Sequence, residues 1–560
     1  MAYQLSPGVL VQERDLSNIV PAVSSSKGGY SGTFTWGPVM SPVIISSENH
    51  LVQVFGKPDM TTAASFYTAA NYLTYSNFMY VNRQVGDNAR NAVATGDAII
   101  IKNNGHFEAS YAEIPPTPSV GQFVAKYPGT LGNGIEVHMA DAATFEAWTY
   151  KNLFSYAPDS TSDIVEAGGS NDEVHVVIID KDGRITGTPG TILDRYEGLS
   201  KARGAARYDG SDNYYKTVIN NRCPWIWVVE PPRDGTNDIL ETWGSTDKTT
   251  AFETLDTAVS VHLAGGVSHN DLSSALIRSG WNVFKNDETY DINLVPVGPI
   301  PPVDGEYVVD NIAIARRDCI AFLSPELNDV QSVDPATAVK TWRQTLGVNT
   351  SYAVLDSGWK KQYDQYTREY VNVPLNGDIA GLCAYTDYLR DPWFSPAGFN
   401  RGFVRNVVKL LYNPSKAERD ELYPMGVNPI VTLPGEGTIL LGDRTAQRKP
   451  SSFDRINVRR LFIAMAKATA TAAKYQLFEF NDEFTRANFR SMVEPYLADI
   501  QGRRGITEYF VRCDSSNNTP EVIDRNEFVA EIFVKPTRSI NFIKLILTAT
   551  RTGVQFEEVI

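Results

Sequence analysis

Over residues 540–549 the chain reads INFIKLILTA, and an extended backbone puts Ile543, Leu545, Leu547 and Ala549 on one face and Ile540, Phe542, Ile546 and Thr548 on the other. Few polar positions interrupt either side, so the pattern predicts an interior core strand covered twice. Beyond Thr552-Gly553, Val554 and Phe556 alternate with Gln555 and Glu557, which predicts a second, shorter strand over residues 554–560. The other end is comparable: Ser6-Pro7-Gly8 is a turn signal, followed by a short strand over residues 9–13 with no evident partner. An isolated strand does not hold itself in water. Both ends are therefore expected to pair with their own domain or with another chain.

Between the ends the periodicity changes several times. Residues 20–31 are small and polar and read as a linker, and residues 32–38 as a strand closed by a Gly-Pro turn. Ser47 is placed to cap a short helix carrying Leu51, Val54 and Phe55 and closed by Gly56. A helix over 62–75, with Phe66, Ala69, Ala70 and Leu73 on one face, and a strand over 78–85 complete an α/β start. From about Gly86 onward Asp, Asn, Gly and Pro become frequent, and the Pro-rich connector at 114–118 favours extended backbone. The reading there is an inserted block: a hairpin of 173–179 and 184–188 turned by Asp180-Lys181-Asp182-Gly183, a buried strand over 223–230, helices over 250–263, 272–285 and 335–346, and a strand region over 312–322.

The last part is expected to be a compact domain. Residues 379–386 open it, 400–408 are strand-like, Ser415 and Glu418 form a capping box, and 439–442 read as a strand. The strongest helix spans 453–475, with Leu461, Phe462, Met465, Thr469, Ala472 and Tyr475 at helical spacing. Asn481 is expected to cap a second helix that buries Phe484, Phe489, Val493, Leu497 and Ile500 and bends near Pro495.

Charge and chemistry narrow the function. A length of 560 residues exceeds one core, and 51 basic against 65 acidic side chains leave a net charge of -14 without a Lys/Arg cluster, which argues against a nucleic-acid partner. Cys223, Cys319, Cys383 and Cys513 lie far apart and form no C-x-x-C, so buried reduced thiols are expected. No apolar run approaches a membrane span and no signal-peptide pattern opens the chain, so neither membrane insertion nor export is expected. The six histidines never stand at metal-ligand spacing; Asp180-Lys181-Asp182-Gly183 misses a calcium loop at its first and last ligands; Gly435-Glu436-Gly437 precedes a strand and lacks a third glycine. No catalytic, cofactor-binding or metal-binding residue is assigned. Arg486 and Arg490, four apart on the second helix, are either solvated or available to an acidic partner.

These residues occur in an order that resembles contractile phage tail sheath proteins of the large myovirus type. The carriers are Ser6-Pro7-Gly8-Val9 with Glu13; Trp36-Gly37-Pro38; Val54-Phe55-Gly56-Lys57-Pro58; Tyr127-Pro128-Gly129-Thr130-Leu131-Gly132-Asn133; and Leu263-Ala264-Gly265-Gly266. Later come Ala380-Gly381 with Thr386-Asp387, Ser395-Pro396-Ala397-Gly398, Gly426-Val427-Asn428-Pro429-Ile430, Gly442-Asp443-Arg444-Thr445, Asn457-Val458-Arg459-Arg460-Leu461 and Phe480-Asn481-Asp482. One departure is that the stretch 103–118 is short for the extra protruding domain of some relatives.

The resemblance implies a structural protein of the virion, assembled in the host cytoplasm, with no enzymatic activity and no cofactor. It implies hexameric rings stacked around an inner tail tube, linked by terminal arms, that contract to drive the tube through the host envelope. Baseplate and tail terminator proteins are the other implied partners. The expected architecture is a multidomain α+β chain: an arm over 1–19, a discontinuous α/β core from 20–85 and 351–552, an outward-facing β-rich insertion over 86–350, and a second arm over 553–560. The arms would act through Val9, Val11, Glu13, Val554, Phe556 and Val559, and Arg486 and Arg490 would face the tube. A sheath of a bacteriocin-like particle or contractile secretion system shares the core but is typically shorter, and the large insertion from Gly86 to about Leu346 favours a phage. A multidomain cytosolic hydrolase would fit the composition but not the two apolar ends.

Overall fold

The computed structural model describes residues 24–113, 116–233 and 238–541. The six arm residues named above lie outside the described residues. The chain divides into two units, one of residues 24–389 and 396–456, the other of 390–395 and 457–541.

The larger unit begins with β1 (Gly28–Thr33), β2 (Val43–Ile45), α1 (Glu48–Phe55), α2 (Ala63–Leu73) and β3 (Met79–Gln84). Strand β1 lies where the small residues suggested a linker, and those small residues explain it. A Cβ on Gly28 would stand 2.7 Å from the Tyr72 ring and one on Gly32 2.2 Å from Ser65 Oγ, so glycine lets α2 lie directly on the strand. Ser47 caps α1 by accepting the His50 N–H, and Gly56 closes it at φ 77°, both as expected. Helix α2 is buried almost all round, so more than its expected apolar face is covered.

Residues from Gly86 to about 270 form a lobe around an antiparallel sheet of β4 (Ile135–Asp141), β5 (Glu173–Asp180), β6 (Thr191–Ser200) and β7 (Val259–His262), in the order β6-β5-β4-β7. Val137, Met139, Val176, Ile178, Tyr215 and Trp243 fill its interior. The expected hairpin partner at 184–188 is instead a wide turn. The Asp180 carboxylate accepts the Ile185 and Thr186 N–H groups and the Thr186 hydroxyl, delaying the return strand to Thr191. The helix expected over 250–263 is absent because the free edge of β4 pairs with its last part, Met139 opposite Val259.

After α3 (Ser274–Asn282) come β8 (Leu294–Pro296), β9 (Ile320–Leu323), α4 (Pro335–Thr345), β10 (Ala353–Asp356), β11 (Trp359–Asp364), β12 (Glu369–Pro374), α5 (Asn376–Leu389) and β13 (Val427–Asn428). The principal sheet has the order β13-β10-β9-β8-β1-β3-β2, parallel except for β2 against β3. Strands β8 and β9 thus sit in its middle, although both fall in the stretch 86–350 expected to be inserted. Short apolar runs buried on both faces carry no alternation that would mark them as sheet strands. Of the region 312–322, only its end is strand; residues Val309–Ile314 are a π-helical turn. Residues 400–408 are irregular rather than a strand. Gly435-Glu436-Gly437 turns the hairpin of Ile430–Leu433 and Gly437–Leu440.

Candidate functional site: an open two-stranded sheet

The smaller unit is built from α6 (Ile456–Lys474), α7 (Glu483–Gly502), β14 (Ile506–Arg512) and β15 (Glu531–Pro536). Its core joins Leu461 and Met465 of α6 to Phe489, Met492, Val493, Leu497 and Ile500 of α7 and to Ile506 and Val511 of β14, with Ile532 and Val534 of β15 packed against them. Alternation over Tyr509 and Val511 of β14 and Ile532 and Val534 of β15, with a register shift between Ile506 and Glu508 that lets Ile506 face inward too, thus meets period-3.6 spacing in the helices. Helix α7 continues through Pro495.

The start of α7 is held by side chains. Asp482, not Asn481, is its cap: the carboxylate accepts the Thr485 N–H at 2.8 Å, a bond that lowers its pKa from the ordinary value. Asn481 instead donates from Nδ2 to the Glu527 carbonyl at 2.8 Å and accepts two bonds from Arg486 Nη1, at Oδ1 (2.8 Å) and at its carbonyl (3.2 Å). Arg486, expected to face a partner, is only 8% exposed and fastens this turn, whereas Arg490 is half-buried. A spacing of four puts both on one side of the helix but does not say how much of each is covered.

Strands β14 and β15 pair antiparallel, and among the described residues neither has a second neighbour. Asn518 closes their connection, donating to the Val529 carbonyl and accepting the Val529 N–H. On the outer face three opposed pairs follow one another: Glu508 with Lys535, Phe510 with Phe533, and Arg512 with Glu531. The outer two are ion pairs and the rings of the middle one stack at 6.2 Å. A two-stranded sheet is marginal alone. This one is held by the helices beneath it, and among the described residues no further strand lies along either outer edge.

Sequence reasoning missed a second feature. Tyr475 and Phe484 were expected to be inward-facing but are 72% and 79% exposed, and between them Leu477, Phe478 and Phe480 are also exposed. The apolar spacing continues past each helix end, where no surface remains to cover it.

Comparison with known proteins agrees with this organisation. Residues 301–446 match the phage tail sheath protein central domain and residues 448–550 the phage tail sheath C-terminal domain. The chain is 32% identical to the tail sheath protein of Vibrio phage KVP40, with 99% of each chain covered, and 32% identical to that of Enterobacteria phage T4, again with 99% of each covered. Its mixed α+β, multi-sheet fold matches the PVC sheath complex of an extracellular contractile injection system in the contracted state, at a TM-score of 0.52 and 12% identity over 98% of this chain and 99% of that one. The chain belongs to the phage tail sheath family. It is a structural protein of a contractile phage tail, not an enzyme.

Proposed function

We propose that copies of this chain polymerise as stacked hexameric rings around an inner tail tube and contract against a baseplate to drive the tube through the host envelope. The observation that carries the reading is the β14–β15 pair, whose two outer edges have no partner among the described residues. Residues 9–13 and 554–560 of neighbouring copies supply the added strands, with Val9, Val11 and Glu13 from one end and Val554, Phe556 and Val559 from the other. Each added strand contributes several backbone hydrogen bonds at about 1 kcal/mol net apiece, together with apolar burial, repeated at every subunit. Residues 540–549, apolar on both faces, stay with their own subunit.

Such arms keep the lattice connected while subunits move from an extended, metastable tube to a shorter and wider one, so the work comes from rearranged interfaces. The tube is gripped weakly: exposed charge pairs are worth about 0–1 kcal/mol each, and Arg490 supplies one cation per copy for an acidic tube surface. A tail terminator caps the polymer. The protein is made in the host cytoplasm and functions in the virion without binding nucleic acid or inserting into a membrane. The test is to delete residues 553–560, or 1–18, and examine the purified protein by electron microscopy and sedimentation. A folded, soluble monomer is expected in both cases; long polymers from either truncation overturn arm exchange.

A further inference from the structure

The connection between α6 and α7 displays five large apolar side chains in ten residues: Tyr475, Leu477, Phe478, Phe480 and Phe484, with Phe478 fully exposed and Phe480 84% exposed. Exposed aromatic side chains bury roughly 150–250 Å² each when covered. The cluster therefore offers on the order of 600 Å², the upper end of what a monomer leaves open and close to the ~800 Å² each partner contributes to a standard interface.

This tip is built, not loose. Consecutive turns close through Tyr475 N–H to Ala472, Gln476 N–H to Ala473, Leu477 N–H to Lys474 and Glu479 N–H to Gln476. Asn481 then ties it to Glu527, four residues before β15, and buried Arg486 holds Asn481. A rigid aromatic cluster loses little freedom when it docks.

The same unit carries a second aromatic patch, the exposed Phe510–Phe533 stack on the outer face of β14 and β15, rimmed by ion pairs at both ends. An apolar centre with a polar rim is the anatomy of a protein interface. Two different patches on one unit make a head-to-tail contact, which repeats from copy to copy into a ring or helix, where two identical patches would close as a dimer. We propose that the aromatic tip of one copy, centred on Phe478 and Phe480, docks on the Phe510–Phe533 face of the next copy. The proposal rests on the reading that the chain self-assembles, and it adds a contact independent of the arms.

The experiment uses the full chain and measures the critical concentration for polymer formation by sedimentation. A tip variant, Phe478→Ser with Phe480→Ser, and a face variant, Phe510→Thr with Phe533→Thr, are each expected to raise it tenfold or more. The chain carrying both is expected to be no worse than the weaker single variant, because both remove one contact. Effects that multiply overturn the pairing, as does a tip variant that polymerises normally and fails only to assemble on a tube. A second measurement does not depend on variant stability. The native thiols are all buried, so in a chain with Phe480→Cys and Phe533→Cys oxidation of the polymer should give a ladder of covalent multimers. Polymers that give only monomers after oxidation overturn the proposal. Arm deletions that abolish polymers while tip variants leave the critical concentration unchanged remove this contact and spare the arm reading; the converse removes the arm reading and spares this contact.

Discussion

Arg83, the penultimate residue of β3, donates to the carbonyl of Pro128 in the lobe at 2.7 Å, so one guanidinium spans the principal sheet and the lobe. It also donates to the carbonyls of Phe34, Gly37 and Thr35, and among the described residues it makes no ion pair. A planar fork with five N–H groups suits four carbonyls in a way an ammonium cannot. Arg83→Met is expected to leave these carbonyls short of donors, at about 1–3 kcal/mol for each one that water cannot reach, and Arg83→Lys to recover only part of the loss. Urea denaturation of both variants checks this; a Lys variant as stable as the parent contradicts it.

Lys360 of β11 and Asp378 of α5 form a buried ion pair at 2.9 Å, and Lys360 also donates to the Arg405 carbonyl. Burial pushes the carboxyl up and the ammonium down, each toward its neutral form, against their mutual attraction. Lys360→Met alone strands a carboxylate in the core and is expected to cost about 3–5 kcal/mol. Adding Asp378→Leu should restore most of the loss. Unfolding midpoints of the two single variants and the double decide whether the pair acts as a unit.

Asp356 ends β10 fully buried, accepting a bond from Ser324 Oγ at 2.7 Å and the Gly358 N–H at 2.8 Å. Burial pushes its carboxyl up to about 8. The folded chain therefore holds a proton that the unfolded chain releases near the ordinary carboxyl value. The stability this group confers is complete below about pH 4 and declines as pH rises toward 8, by up to about 1.4 kcal/mol per pH unit. Asp356→Asn cannot ionise, so its unfolding free energy should change less between pH 6 and pH 8 than that of the parent. Equal slopes contradict the shift.

Arg486 fastens Asn481, and through it the tip, to the segment preceding β15. Arg486→Met is expected to cost about 1–3 kcal/mol through the lost donors and to speed hydrogen exchange over residues 476–485. Exchange within β14 and β15 should change little. Uniform acceleration across the whole unit would mean that Arg486 supports the core and not the turn.

The long helices of the smaller unit were legible because Leu461, Met465, Phe489, Val493, Leu497 and Ile500 recur at 3.6-residue spacing and all are buried. The same pattern overran its limits at Tyr475 and Phe484, since periodicity tells which side a residue is on but not whether anything covers it. Strand β1 was hidden by Gly28, Gly29 and Gly32, whose role is to admit α2 and Ile292 closely, a requirement set by neighbours distant in sequence. Strands β8 and β9 were hidden because the partners that make Leu294–Pro296 and Ile320–Leu323 strands are found only in three dimensions. That β14 and β15 have no further neighbour among the described residues could not be read at all, since an edge is defined by what does not pair with it.

The strand order has a consequence for synthesis. β1 takes its second parallel neighbour at Leu294, which leaves the ribosome 261 residues after Thr33. At about 5–20 residues per second that is a wait of roughly 13–50 s, during which the lobe around β4 to β7 can close on its own contacts. The principal sheet needs Val427–Asn428 as well, and β15, which completes the pair proposed above to accept strands from neighbouring copies, emerges later still. If neighbours join through that pair as proposed, nascent chains crowded along one messenger carry no joining edge until the body of the subunit has been made, so half-made copies cannot link through it.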